Sequence, residues 1–492
     1  MEHKNTRADR RAFWRFVILI VLLMLPVFAV ALYNRPSADD FGYSLQTHAV
    51  AVEYGFSPGR LLRAALDTDI SYFNTWQGLY SSAFLLSLQP AIFGESWYGL
   101  TTFLVVGILF LCLWGMLHLV VRGRFSGSRL WAPALALLFT YAFVQGMPNP
   151  VEGLFWFNGA MNYLPFFALT LLNAGILFAV SAGCRRPLAW MLLSGLLAVV
   201  ISGGHQVAAL LNLMLTLYAV LYGLFKKRPW ALLPLFFGLA GLLVNLNSPG
   251  TAVRYAGFSS ASMPEAIVKS FLLVLFCLIR WLDVPLLCLL ALLTVPAWKL
   301  AACHSFRLPR PWVIPAAGFL VLWGMLWLPS YTMGGIGPGR LINVVWMTFV
   351  LELSLFYMTE VIRLAQKGFP QTRKAETLLS RHPRRTGAAA AAMLICMACI
   401  GGHTVKEGLD NHFGTSLEAA YELAEGTPQA YARALDERAG LLSDPRTADV
   451  TIRCLTEDEK PYLLYFSDVV PGPDQWGLAE YYGKQSVTVE QP

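Results

Sequence analysis

Long apolar runs separated by short polar segments dominate the chain. Apolar stretches of roughly 17–25 residues are long enough to cross a bilayer as helices, and this criterion predicts about 11 transmembrane helices. The predicted spans cover residues 13–33, 98–120, 130–147, 163–182, 187–203, 206–225, 230–246, 283–298, 311–331, 341–364 and 387–404. The pattern therefore predicts an all-α polytopic membrane protein.

Two further apolar segments do not fit this criterion. Residues 79–94 are short and end at Gln89-Pro90, which is typical of a re-entrant or interfacial helix. Residues 264–282 carry three charged side chains along an apolar face and also predict an interfacial helix. If either segment crosses the membrane instead, every later loop lies on the opposite side.

The last part of the chain differs sharply in composition. Residues 417–423 and 429–442 have amphipathic helical patterns, and residues 450–452, 462–466 and 486–489 have strand patterns. We therefore predict two domains: a transmembrane domain over 1–404, with a first outer loop at 34–97, and a small extracytoplasmic α/β domain over 405–492.

The composition agrees with a membrane protein. The chain of 492 residues is 56% hydrophobic and only 14% charged, with a mean hydropathy of +0.53, whereas soluble domains carry roughly 25% charged residues. The net charge of +7 is spread over short basic clusters between apolar runs. This distribution indicates a lipid bilayer as partner and no nucleic acid.

The lysine and arginine residues predict the orientation. Most of them fall in alternate loops, beginning with the N-terminal segment, and such basic loops usually face the cytoplasm. The N-terminus is then cytoplasmic and the C-terminal domain extracytoplasmic, in a multi-pass protein of a plasma (inner) membrane. The first apolar run is about 18 residues long, so we interpret it as an uncleaved anchor and not as a signal peptide.

With this topology, the unusual polar and aromatic residues fall on the predicted outer side. Each has a simpler interpretation: Asp39 and Asp40 as a solvated loop or helix cap, tryptophan and tyrosine as interfacial belt residues, and His205 as a structural histidine. The candidate substrate-binding residues are Tyr43, Trp76, Gln77, Glu152, Trp156, Asn158, Asn162, Tyr163, His205, Arg254 and Arg340.

Arg254 and Arg340 are the least easily explained by structure alone. Each follows a Pro-Gly pair on the predicted outer side, where the positive-inside rule disfavours arginine. Arginine binds phosphate through paired donors. Two arginines facing an acidic loop indicate an anionic ligand, with Mg²⁺ or Mn²⁺ as an optional cation at Asp39 and Asp40.

The motifs also resemble a known group. The order of a long first span, the segment 38–43 with its Asp-Asp pair, and the elements 76–78, 156–163, 248–254 and 339–340 is similar to the GT-C superfamily of membrane glycosyltransferases. Within that group the chain looks closest to a bacterial multi-spanning family with an Asp-Asp motif after the first span.

The resemblance implies transfer of a sugar from a polyprenyl-phosphate donor to a glycan or lipid-linked acceptor on the outer face. Asp39 or Asp40 would act as the general base while the other holds a metal or the acceptor. Arg254 and Arg340 would neutralise the leaving phosphate. The aromatic rings among the candidate residues would stack on sugar or prenyl surfaces.

Two other classes of function stay open. A transporter or flippase of a lipid-linked saccharide would use the arginines only to guide phosphate. A non-catalytic envelope-assembly protein would act through its C-terminal domain.

Overall fold

The computed structural model describes residues 7–124, 130–225, 229–258, 260–303, 309–368, 382–402 and 413–491. This part of the chain is mostly helical and includes seven helices long and apolar enough to cross a membrane. They are Asp9–Ala31, Glu95–Val121, Phe157–Ser181, Gln206–Leu224, Val284–Ala301, Val313–Thr332 and Gly339–Gln366. The pair Leu232–Leu246 and Pro249–Ala256, bent by 59°, adds an eighth if it counts as one broken span.

The helical membrane architecture agrees with the prediction, but the predicted number of eleven spans is not confirmed. The apolar helices Trp131–Gly146 and Pro187–Ser202 have only 16 residues each. The helix Pro383–Cys399, which overlaps the last predicted span, has 17. Helices of 16 or 17 residues lie at or below the lower limit of roughly 17 residues for crossing a bilayer.

The helices are numbered in chain order. The first six are α1 (Arg7–Ala31), α2 (Asp39–Tyr54), α3 (Pro58–Thr75), α4 (Tyr80–Leu86), α5 (Leu100–Arg124) and α6 (Trp131–Gly146). The next six are α7 (Phe157–Ser181), α8 (Pro187–Ser202), α9 (Gln206–Phe225), α10 (Leu232–Leu246), α11 (Pro249–Ala256) and α12 (Met263–Arg280). The remainder are α13 (Val284–Cys303), α14 (Val313–Thr332), α15 (Gly339–Gln366), α16 (Pro383–Cys399), α17 (Thr415–Glu425), α18 (Thr427–Ser443) and α19 (Leu478–Tyr482).

The segment between α1 and α5 is largely helical, although the sequence suggested a loop. Asp39 and Asp40 form the first turn of α2, where the helix dipole favours carboxylates. The apolar stretch predicted as a re-entrant or interfacial helix contains α4, of seven residues, and a 3₁₀ turn at Pro90–Phe93. The region predicted as an interfacial helix near residue 270 is α12, with a Glu265–Lys269 ion pair of 2.6 Å.

The C-terminal region contains α17, α18 and α19 and a small sheet. The strands are β1 (Asp449–Arg453), β2 (Gly472–Pro473) and β3 (Ser486–Glu490), in the order β1-β3-β2. β3 pairs parallel with β1, opposing Asp449 to Ser486, and antiparallel with β2.

The strand predicted at 462–466 is wrong, and β2 was not predicted. Residues 462–466 form turns and irregular backbone, with Leu463 and Leu464 both buried. The Leu463 N–H donates to the Glu422 carboxylate, at 3.3 Å, and not to a neighbouring strand. Their apolar character therefore serves packing against the helices.

The C-terminal region is fastened to one end of the helical bundle. Arg35, just after α1, forms two hydrogen bonds to the Asp436 carboxylate, at 2.6 and 2.8 Å. At the end of α6, the Gln145 side chain donates to the Ser416 hydroxyl at 2.6 Å. Phe41 in α2 joins the apolar cluster under the sheet. We call this end of the bundle, where α1, α6, α8 and α10 end and α5, α7, α9 and α15 begin, the polar end.

We predict that Gly414→Ala loosens this attachment. Gly414 packs so closely against α16 that an added Cβ would lie 2.6 Å from the Met397 carbonyl oxygen and closer still to that of Ala398. Since backbone atoms cannot move aside cheaply, we expect a loss of about 1–3 kcal/mol, measured as a lower denaturation midpoint in detergent.

Gly440→Ala is the matched control. This glycine lies inside α18 with open space around its Cβ position, so alanine should stabilise the helix by roughly 0.5–1 kcal/mol. Equal stability of the two variants would contradict the packing assigned to Gly414.

Candidate active site

Asp40 is the most enclosed of the candidate residues, with 1% of its surface exposed. Its Oδ2 accepts hydrogen bonds from the Ser37 N–H, at 3.0 Å, and from the Tyr98 hydroxyl, at 2.5 Å. Its Oδ1 accepts from the backbone and side-chain amides of Asn158, at 3.3 and 3.2 Å. Both oxygens of the carboxylate are therefore saturated by donors from three separate segments.

Burial raises the pKa of Asp40 to about 7, while these hydrogen bonds favour the anion and limit the shift. The Tyr98 hydroxyl accepts from the Phe157 N–H at 2.7 Å, so its own proton is available for Asp40. The network thus ties the start of α2 to the segments that precede α5 and open α7.

Asp39 has the opposite environment. Its side chain is exposed and makes no hydrogen bond or ion pair with any residue that the structure describes. The preceding Ala38 has φ 51° and ψ −124°, a conformation that costs a non-glycine residue about 1–3 kcal/mol. This turn directs the two adjacent carboxylates differently, one inward and one outward.

Arg340 begins α15 and is paired. Its guanidinium donates to the Glu152 carboxylate at 2.7 Å, and Glu152 also accepts from the Asn149 amide at 2.9 Å. The Arg340 Cζ lies 5.1 Å from the Trp156 ring and 5.7 Å from the Tyr163 ring. Glu152 therefore balances the charge of Arg340 and holds its side chain against two aromatic rings.

Arg254 lies on α11, the helix that follows the bend after α10. Its Cζ is 5.0 Å from the centre of the Trp76 ring and 5.8 Å from that of Phe258. Within the described parts of the chain no carboxylate pairs with it. Arg254 thus keeps its charge unbalanced, beside a tryptophan that is 44% exposed.

The Tyr43 hydroxyl lies within electrostatic reach of these groups. Burial raises the pKa of Tyr43, and the charges of Arg254, Asp39 and Arg340 all act on it. Its ring stacks on Tyr72 at 4.4 Å, and its hydroxyl accepts a hydrogen bond from the Gln77 side chain. The free carboxylate and both arginines therefore act electrostatically on one hydroxyl group.

His205 and Tyr163 lie within electrostatic reach of the same two arginines. Their rings stack at 3.8 Å with an interplanar angle of 30°. Burial, together with the charges of Arg340 and Arg254, lowers the pKa of His205 to about 3. The imidazole is therefore neutral at physiological pH.

Some candidate residues have structural partners that restrict their predicted roles. Trp156 is 4% exposed and its indole stacks on Phe466 at 3.5 Å, so that face is not open to a sugar ring. Asn162 accepts a hydrogen bond from Ser82 at 2.6 Å. Asn158 donates hydrogen bonds to the Asp40 carboxylate. The side chains that keep open capacity are those of Asp39, Trp76, Arg254 and His205.

Three aromatic residues of this region were missed from the sequence. Tyr98 holds Asp40, Tyr72 stacks on Tyr43, and Phe466, from the C-terminal region, covers Trp156. Tyr72 lies four residues before Trp76, which was a usable signal. Tyr98 and Phe466 sit in ordinary apolar surroundings, and their contacts depend on tertiary packing.

The residues as placed do not form a ligand set for Mg²⁺ or Mn²⁺. The hydrogen bonds to Asp40 already use its oxygens, which leaves Asp39 as a single carboxylate. Across the described ranges, three or more His, Cys, Asp or Glu side chains do not come together as a metal group. We derive no step through a metal.

Comparisons of the chain with protein-family models, with curated proteins and with solved structures found no match.

We predict that Asp40→Asn destabilises the protein while Asp39→Asn does not. An amide at position 40 would point an N–H₂ group at two of the donors that now meet an oxygen, leaving them unsatisfied. The expected loss is about 1–3 kcal/mol for residue 40 and within about 0.5 kcal/mol for the exposed residue 39. Denaturant titration of both variants in detergent checks this, and equal midpoints would show that the network does not hold the polar end together.

Proposed function

We propose that this protein is a membrane glycosyltransferase that moves a sugar from a polyprenyl-phosphate donor to an acceptor at the extracytoplasmic face. The acceptor is a glycan or another lipid-linked molecule of the cell envelope. The observation that carries the proposal is that one unpaired carboxylate and two guanidinium groups all act electrostatically on the Tyr43 hydroxyl, at an end of a bundle of apolar helices.

Asp39 is the general base in this proposal. A base must reach the acceptor hydroxyl and have a free lone pair, and Asp39 is exposed and without a hydrogen-bond partner among the described residues. Asp40 meets neither condition, so it is a positioning residue that fixes the turn carrying Asp39. Adjacent carboxylates thus take different roles.

The reaction forms one bond and breaks another at the anomeric carbon of the donor sugar. The acceptor oxygen attacks that carbon while its proton passes to Asp39, and the bond from the carbon to the phosphate oxygen breaks. The leaving group is the polyprenyl phosphate. Asp39 then releases the proton to water, which its exposure permits.

Negative charge grows on the phosphate as the bond breaks. Arg254, whose charge no carboxylate of the described chain balances, and Arg340, held by Glu152 at 2.7 Å, would stabilise this charge. The charges of both arginines and of Asp39 act on the same hydroxyl group, that of Tyr43. Sugar transfer from a phosphate donor needs the base and the phosphate-binding cations at one site. Trp76, exposed beside Arg254, offers a surface for the sugar or the first isoprene units.

We predict that Asp39→Asn lowers the transfer rate by about 10²–10⁴-fold with little change in stability. The amide keeps the shape of the side chain but cannot accept the proton. The measurement is turnover of purified protein with a panel of radiolabelled polyprenyl-phosphate sugars and cell-envelope acceptors.

Asp67→Asn is the control for loss of one exposed negative charge. Asp67 lies on α3 and pairs only with Arg63, at 3.2 Å, so this variant should turn over like the wild type. Unchanged turnover in Asp39→Asn would remove the proposed chemistry.

A second candidate is movement of a lipid-linked saccharide across the bilayer, and one observation favours it. Glu352 lies near the middle of α15, a helix of 28 residues, and packs against Gly318 of α14. Within the described chain it has no ion pair or hydrogen bond, and charged residues at mid-bilayer depth are typical of transport pathways.

Proteoliposomes separate the two candidates. The transferase proposal predicts no translocation of a fluorescent polyprenyl-phosphate saccharide and no effect of Glu352→Gln on transfer. Translocation without product that disappears in Glu352→Gln, but persists in Glu360→Gln near the end of the same helix, would favour the transporter.

A further inference from the structure

The hydrogen bond at the start of α9 fixes the tautomer of His205. The Val207 N–H donates to His205 Nδ1 at 3.2 Å, so Nδ1 carries no proton. A neutral imidazole has one N–H, and it must then be at Nε2. Burial and the charges of Arg254 and Arg340 keep the ring neutral. The titratable and charged groups that face the ring are Tyr163, Arg254 and Arg340.

The Nε2 edge is left open. The ring is half-buried, one face lies on Tyr163, and no described residue forms a hydrogen bond with Nε2. Nε2 is also not among the fully enclosed, unsatisfied polar atoms of the described chain. An N–H group with a fixed direction therefore faces accessible space beside the two arginines.

We infer that His205 donates an uncharged hydrogen bond from Nε2 to an oxygen of the anionic group that binds between Arg254 and Arg340. The identity of that group as a lipid phosphate rests on the proposed function. His205 is a binding residue here, not a base, because its nitrogen with a lone pair is already occupied by Val207.

The charges explain why an uncharged donor suits this place. Glu152 balances Arg340, whereas Arg254 has no carboxylate partner in the described chain. A sugar-linked phosphodiester carries one negative charge, which one unbalanced arginine matches. A neutral N–H adds direction without adding a second unbalanced positive charge.

Two substitutions at residue 205 separate binding from folding. Asparagine can still accept from the Val207 N–H but has no group at the Nε2 position, whereas the longer glutamine can place its amide N–H there. With farnesyl phosphate as the probe, we expect His205→Asn to weaken binding by about tenfold or more with near wild-type stability. His205→Gln should restore most of the affinity.

His48→Asn is the matched control. His48 also stacks on a tyrosine, Tyr481, at 3.9 Å and 12°, and its Nδ1 contacts the Ile92 carbonyl. Neither Arg254 nor Arg340 is among the groups that influence His48. The His48→Asn variant should therefore bind the probe like the wild type. Inorganic phosphate titrated separately shows whether the headgroup alone binds; tighter binding of farnesyl phosphate assigns the anion to a lipid.

The outcomes distinguish this inference from the proposed function. Wild-type binding of farnesyl phosphate that is unchanged in His205→Asn would overturn the inference alone. No binding to the wild type would overturn both. Independently of any ligand, ¹⁵N spectra of histidine-labelled protein, with the His205 signals identified by their loss in His205→Gln, should show an unprotonated Nδ1. A proton there, or a charged ring at pH 7, would contradict the inference.

Discussion

The arrangement of the polar end depends on one buried carboxylate. Asp40 receives donors from its own turn, from the hydroxyl of Tyr98 and from both amides of Asn158. A charge so enclosed is tolerated only when its oxygens are fully hydrogen-bonded. Because these donors come from the segments around α2, α5 and α7, satisfying the carboxylate also fixes how three helix ends meet. The strained backbone of Ala38 and the exposure of Asp39 follow from this meeting.

The two arginines near this network differ from each other as the two aspartates do: one is held by a protein partner and the other is not, among the described residues. Arg340 is held by Glu152, at 2.7 Å, while Arg254 lies against two aromatic rings and pairs with no carboxylate among the described residues. Each pair of like residues thus contains a fixed member and an unpaired one. Unpaired charges near a membrane surface are costly unless a ligand or water satisfies them. Their charges act on Tyr43 and His205, and this arrangement is the physical basis on which we propose an anion site.

Much of this could be predicted from the sequence, and the failures have identifiable causes. The apolar runs predicted the helices, and the Asp-Asp pair and the two arginines behind Pro-Gly stand out in the sequence as unusual for their predicted place. The sequence could not distinguish Asp39 from Asp40, because neighbouring residues differ only in the direction that the turn at Ala38 gives them. The predicted span number is not confirmed, since helix ends depend on packing. The strand prediction at 462–466 is wrong because Glu422 takes the backbone donor of Leu463. Phe466 and Tyr98 carry no local signal for their contacts.

In the function we propose, Asp39, Arg254 and Arg340 all contact one bound phosphate-linked sugar. A cryo-electron microscopy structure of the full chain in lipid nanodiscs, with a non-transferable polyprenyl-phosphate sugar analogue, tests this directly. For the proposed glycosyltransferase, we expect phosphate density in contact with both arginines. The Asp39 carboxylate should face the anomeric carbon across an open acceptor space. Phosphate density elsewhere, or Asp39 turned away from the sugar, would contradict it.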